Sequence, residues 1–272
     1  MPELPEVETT RRGVEPHVAG RLIVGFDLYE PRLRWPVPRS LSGELSGARV
    51  RAVKRRAKYL LFELDGARTL LLHLGMSGNL RVLPAATPRL KHDHFDLRLE
   101  SGQTLRFNDP RRFGSLHLVR GDPARHPLLA HLGPEPLENG FDEEYLWQSS
   151  RGRRVAVKPF LMNAQVVVGV GNIYASEALF RAGIRPGRQA RHLKRQEVAQ
   201  LVSAIKDVLA MAVKVGGTTL RDYVGADGSP GYFRQKLFVY ERVDEPCRRC
   251  ATPIRQRVQA QRSTYWCPIC QR

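Results

Sequence analysis

A chain of 272 residues is long enough to bury a sizeable core and to form one large domain or two modest ones. Its 44 Lys and Arg against 27 Asp and Glu give a formal net charge of +17, which bears on partners and solubility rather than on fold. The start, Met1-Pro2-Glu3-Leu4-Pro5-Glu6, lacks the basic and apolar stretches of a secretory signal, and no apolar run reaches the length of a membrane span. A soluble nucleic-acid binder with no membrane association is therefore expected.

In chain order, a first helix is expected from Pro5, with Glu6 and Glu8 in its acidic first turn, Arg11 and Arg12 further along, and Gly13 as its brake. Short apolar runs follow at 21–26, 59–64 and 69–74, separated by Gly, Pro and charge, as in an all-β core. The turn-rich stretch from Leu132 to Gly140 marks a boundary. Beyond it Val198, Leu201, Val202, Ile205, Val208, Leu209 and Ala212 keep the spacing of one buried helix face, which Gly216-Gly217 ends.

The last unit carries Cys247-Arg248-Arg249-Cys250 and Cys267-Pro268-Ile269-Cys270, two C-x2-C pairs with sixteen residues between them. Each pair can turn two thiolates towards one ion, so one closed, structural zinc site is expected. Two redox dithiols are the alternative, but the βαβ surroundings of such a motif are absent. All four cysteines fall in the last 26 residues, a distribution that fits a reducing cytoplasm. Val167 to Tyr174 begins like a dinucleotide-binding fingerprint, yet Tyr174 stands at the third glycine position and no alternation of strands and helices surrounds it. Glycines opening a helix equally suit a DNA phosphate.

Several segments together carry a resemblance. They are PELPEVETTRRG (2–13), RRAKYLL (55–61), HLGMSG (73–78), KHDHFDL (91–97), NDPRRFG (108–114), GVGNIYASEALF (169–180), GGTTLRDY (216–223), DGSPGYF (227–233) and QRSTYWCPICQ (261–271). In this set and order the chain resembles the formamidopyrimidine-DNA glycosylases, bacterial enzymes that remove oxidised purines. The resemblance implies an α+β fold: an N-terminal β-sandwich with flanking helices (1–132), a helical domain with a helix–two-turn–helix (133–235) and a zinc-ribbon hairpin (236–272). It implies a monomer acting on damaged double-stranded DNA in the bacterial cytoplasm, associated with the nucleoid through that DNA.

It also implies roles. Pro2 would be the nucleophile once the initiator methionine is removed. A free α-amine is roughly 10–20% unprotonated at pH 7, whereas an ordinary lysine is below about 0.1%. Glu3 would assist sugar-ring opening, Lys58 proton transfer in β-elimination, and Arg262 δ-elimination; an arginine is read first as a phosphate clamp. Met76, Arg111 and Phe113 would fill the gap left by an extruded nucleotide. His92, Arg153, Lys158 and Asn172 would hold phosphates, and Cys247, Cys250, Cys267 and Cys270 the zinc. Lesion contacts are expected between Gly225 and Phe233. His92 and His94 with Asp93 and Asp96 are not expected to form a second metal site. Two departures from the family pattern, Ala251 where glycine is frequent and Asn163 where aspartate is frequent, bear on local packing.

Two rival readings stand beside the first, a sister enzyme and a protein of a different class. An endonuclease VIII-type glycosylase for oxidised pyrimidines would typically begin PEGPE rather than PELPE. A non-catalytic zinc-ribbon DNA-binding protein would have no need of Pro2, Glu3 and Lys58.

Overall fold

A computed structural model describes residues 2–217 and 237–272, in two compact units. Among these residues the first unit takes 2–130 with 215–217, and the second 131–214 with 237–272. Met1 and the expected lesion-contacting stretch 225–233 lie outside the described residues.

The first unit is a sandwich of two antiparallel four-stranded sheets. One runs β1(Ile23–Leu28), β6(Asp93–Leu99), β7(Gln103–Asn108), β5(Asn79–Pro84). The other runs β2(Val50–Arg56), β3(Tyr59–Leu64), β4(Arg68–His73), β8(Ser115–Arg120). Phe62, Leu70 and Leu72 from one sheet and Phe95, Leu97 and Phe107 from the other belong to a single apolar core. The short helix α2(Leu41–Leu45) adds Leu41 and Leu45 to it.

The first helix, α1(Leu4–Val18), runs past the expected stop at Gly13 and even through Pro16. Its reason is burial: Val14 and Val18 are fully enclosed in the core, which outweighs the poor helix propensity of one exposed glycine. Strand β6 is buried on both faces. On its polar face Arg106 makes a bidentate pair with Asp96 (2.7 and 2.6 Å), while Asp93 takes Arg81 at 2.8 Å. These acids are neutralised by guanidinium groups, and among the described residues only the four cysteines gather as a metal-binding cluster.

The second unit contains α3(Glu143–Ser150), α4(Val157–Leu161), α5(Asn172–Arg181) and α6(Arg195–Lys214). Asp142 caps α3 by accepting the Tyr145 N–H at 2.8 Å. All seven expected apolar positions of α6 are buried, and Gly216 and Gly217 follow it with φ of +81° and +79°. A hairpin, β9(Arg255–Gln259) and β10(Arg262–Trp266), completes the unit. Its two-residue turn, Ala260-Gln261, has both φ values positive (47° and 59°), as the tightest right-twisted hairpins require. Asn163 accepts the Gln165 N–H at 2.9 Å through its side-chain oxygen, a turn that an aspartate would make equally well.

No described helix is long and apolar enough to cross a membrane.

Candidate active site and zinc ribbon

In the first unit, Pro2 immediately precedes the helix and Glu3 is its N-cap. The Glu3 N–H donates to Glu6 Oε2 at 2.8 Å, and the two residues close a capping box. Glu3 itself is 3% exposed. The positive end of the helix dipole therefore lies beside Pro2.

Lys58 stands in the two-residue turn between β2 and β3, after Ala57 at φ +55°. Arg55 ties that turn to α1: it donates to the Ala57 carbonyl at 2.9 Å and to Glu8 at 3.2 Å. Arg11 also donates to Glu8, at 2.9 Å. Burial works to raise the Glu8 pKa, but hydrogen bonds from Arg11 and Arg12 outweigh it and hold the carboxyl below its usual range. Near Lys58 is His73, its ring 4.8 Å from that of Tyr59. Burial, with Lys58 and Arg34 nearby, pushes the imidazole down to about 4. The neutral ring accepts the Gly75 N–H on Nδ1 at 3.0 Å, which starts the loop that carries Met76.

That loop and the 109–114 loop touch backbone to backbone. A Cβ on Gly75 would lie 2.4 Å from Gly114 N and 2.5 Å from the Phe113 carbonyl carbon, so only glycine allows the approach. Half-buried Met76 and exposed Arg111 and Phe113 are thus carried on abutting loops. Phe113 is 42% exposed, and the Arg111 guanidinium lies 4.9 Å from its ring centre. An exposed aromatic beside an arginine suits insertion into a base stack. His92, at φ +71°, immediately precedes β6 and accepts the Asp109 N–H through its carbonyl at 3.1 Å.

In the second unit, Arg153 is exposed between α3 and α4, and Asn172 is the first residue of α5, where a helix favours anions. The Asn172 side-chain amide lies 3.5 Å from the Tyr240 hydroxyl. Arg262 is exposed and opens β10 directly after the hairpin turn. Lys158 is placed differently from these: it is 1% exposed, and its ammonium donates to the Ser263 carbonyl at 2.7 Å and the Thr264 hydroxyl at 3.0 Å. It tethers β10 from within.

The four cysteine sulfurs all lie within 4.8 Å of one another. Cys250 and Cys267 are 3.4 Å apart and Cys247 and Cys270 3.9 Å, against an edge of about 3.8 Å for a tetrahedron with Zn–S of about 2.3 Å. The Arg249 and Cys270 N–H groups point at the Cys247 and Cys267 sulfurs, each at 3.4 Å. Ala251 sits at φ +58°, which explains why glycine suits that position. Four thiolates with backbone donors fit one structural zinc and leave no open coordination position.

Sequence reasoning passed over four residues in the site: Arg55, His73, Ser77 and Asp109. Each lies inside a quoted motif, but its role depends on contacts across loops. Glu177 was also passed over; it is fully buried on α5 and accepts the N–H groups of Phe238, Val239 and Tyr240 at 2.9, 2.9 and 3.0 Å.

A helix-capped β-sandwich and a thiolate ribbon bearing exposed arginines define the class, a zinc-finger DNA-binding protein. Three family models match in succession: the Formamidopyrimidine-DNA glycosylase N-terminal domain over residues 1–116, the Formamidopyrimidine-DNA glycosylase H2TH domain over 132–224, and the Zinc finger found in FPG and IleRS over 244–272. The Formamidopyrimidine-DNA glycosylase of Thioalkalivibrio sulfidiphilus is 60% identical, and that of Alkalilimnicola ehrlichii 56%, each over 100% of both chains. Among solved structures, MutM (Fpg) from Thermus thermophilus superposes with a TM-score of 0.90 at 43% identity, covering 99% of this chain and 98% of that one. A Lactococcus lactis Fpg mutant bound to Fapy-dG-containing DNA gives 0.93 at 35% identity, with 100% of both chains covered. The chain belongs to the formamidopyrimidine-DNA glycosylase family, and it is a base-excision-repair DNA glycosylase with AP-lyase activity.

Proposed function

We propose that the enzyme excises oxidised purines, 8-oxoguanine and formamidopyrimidines, from duplex DNA with Pro2 as its nucleophile. The Fapy-dG carried by the DNA of the Lactococcus lactis complex supports the substrate class. The observation that carries the chemistry is the placement of Pro2 against the capped N-terminus of α1, next to the buried Glu3 carboxyl.

Removal of Met1 frees the proline nitrogen. Its lone pair attacks C1′ of the damaged nucleotide, the N-glycosidic bond breaks, and the base leaves with the bonding pair and a proton. Glu3 supplies the proton to the sugar-ring oxygen as the C1′–O bond breaks and the ring opens to an iminium. The iminium accepts the electrons released when C2′ loses a proton, and the 3′ C–O bond breaks. Loss of a proton from C4′ of the conjugated product then breaks the 5′ C–O bond. Lys58 serves proton transfer in the first elimination, and Arg262 holds the phosphate that departs in the second. Met76, Arg111 and Phe113 fill the space of the flipped nucleotide, and His92, Arg153 and Asn172 hold phosphates. Lys158 serves DNA binding through the strand it holds rather than by touching a phosphate.

The division of labour is that of a sandwich (1–132), a helical part (133–235) and a ribbon (236–272), with the protein working as a cytoplasmic, nucleoid-associated monomer. The test is borohydride trapping on duplex DNA bearing 8-oxoguanine opposite cytosine, with peptide mapping of the adduct. A covalent adduct at Pro2, with Met1 absent, is the expected result. A protein that lacks Met1 and binds the duplex yet forms no adduct would refute the proposal.

A further inference from the structure

Asp109 is completely buried, and its polar groups reach three stretches of chain: Ser77, residues 92–94 and residues 111–114. Its Oδ1 accepts the Ser77 hydroxyl at 2.6 Å and the Arg111 N–H at 3.3 Å; Oδ2 accepts the Gly114 N–H at 2.8 Å. Its carbonyl accepts His94 Nε2 at 2.7 Å and the Arg112 N–H at 3.1 Å, and its own N–H donates to the His92 carbonyl. Ser77 Oγ in turn accepts the Arg111 N–H at 3.2 Å. Ser77 follows Met76, Gly114 follows Phe113, and His92 immediately precedes β6.

The two neighbouring buried acids, Asp93 and Asp96, are each paired with an arginine. Asp109 has no cationic partner among the described residues; its donors are a hydroxyl, an imidazole and main-chain N–H groups. Burying a carboxyl group in this way is a poor means of gaining stability, because apolar packing of the same volume would serve at lower cost. What a carboxyl group provides is direction: two oxygens fix three donors from two loops at set angles. We infer that Asp109 is a positioning residue that locks Met76, His92, Arg111 and Phe113 into one rigid element for reading the gap and the unpaired base. This rests on the reading above that those four side chains contact DNA.

Loops misplaced by about 1 Å can cost on the order of 100-fold in rate. Asp109→Asn puts an amide donor against either Ser77 and Arg111 or Gly114, while Ser77→Ala keeps the carboxyl and removes one bridge. Two assays separate position from folding. The first is single-turnover excision of 8-oxoguanine opposite cytosine and opposite adenine in duplex DNA. The second is elimination at a preformed abasic site in a single strand, which needs neither flipping nor an unpaired base.

For Asp109→Asn the expected result is a loss of about 10- to 100-fold in duplex excision and a shift of the opposite-base ratio towards one. Single-strand elimination stays within about twofold. Ser77→Ala moves the same way by less. Unchanged duplex excision and base ratio in Asp109→Asn would overturn the inference, as would an equal loss in both assays, since that marks a general structural defect. Met76→Ala, Arg111→Ala and Phe113→Ala are measured alongside. If all three match wild type in the duplex assay, the underlying reading fails and this inference falls with it, a result distinct from wild-type behaviour of Asp109→Asn alone.

Discussion

Replacing Lys158 with Met separates two uses of one buried cation. Methionine keeps the unbranched stem and its apolar contacts but removes the ammonium that donates to Ser263 and Thr264. Each hydrogen bond from a charged donor contributes about 1.5–3 kcal/mol, and part of the loss is recovered when the Thr264 hydroxyl reorients. A local destabilisation of about 3 kcal/mol follows, which raises the opening of the β9–β10 hairpin by roughly 150-fold. Amide hydrogen exchange across Arg255–Trp266 measures it. A tether buried at 1% exposure touches no counterion atmosphere, so the slope of log K against log salt for DNA binding should equal that of wild type. Exposed Arg153 is the contrast: Arg153→Ala should lower that slope by about 0.9 and leave hairpin exchange alone. Lys158→Met with wild-type exchange and a slope reduced by about 0.9 would show that the lysine serves the phosphate and that the tether argument is wrong.

The Cys267→Ser variant should lose zinc and loosen the ribbon, weakening DNA binding; unchanged zinc content and affinity would contradict the four-thiolate site. Acid should destabilise the first unit through His73. Its folded value of about 4 lies below the ordinary 6.5, so the unfolded chain binds the extra proton. The contribution is complete above pH 6.5 and is lost as pH falls to 4, by up to about 3 kcal/mol. Urea unfolding of His73→Gln should show a flatter pH dependence over that window, and an unaltered one would refute the assignment. Ala251→Gly, which relieves a left-handed alanine, should stabilise the ribbon by about 0.5–1 kcal/mol, read as slower zinc release to a chelator.

Periodicity gave the long helix face from Val198 to Ala212, which is buried on that spacing, and a continuous apolar run gave the strand at 59–64, which is buried along most of its length. The thiolate quartet was legible from spacing alone, since metal ligation is local to two knuckles. The expected stop at Gly13 failed because propensity is a local quantity, whereas Val14 and Val18 answer to a core assembled from distant strands. Lys158 shows the same limit for charge. A lysine in a basic sequence reads as a surface cation, and only the fold puts acceptors from residues 263 and 264 around it. His73 and Asp109 were visible as letters in motifs, but Tyr59 beside His73 and the Ser77, His92 and His94 partners of Asp109 come from other segments, which no single-segment pattern encodes.

The capped start of α1 bears on how freely the proposed nucleophile moves. A chain terminus normally samples several backbone conformations, and fixing each residue costs about 1–2 kcal/mol. Here the Glu3 N–H is held by Glu6, the peptide linking Pro2 to Glu3 is planar, and the pyrrolidine ring holds the proline nitrogen to its own Cα. One rotatable bond, ψ of Pro2, is left between the helix and the amine. The most flexible point of an ordinary chain has become a group with a single degree of freedom, so little entropy remains to be lost when the nitrogen meets C1′.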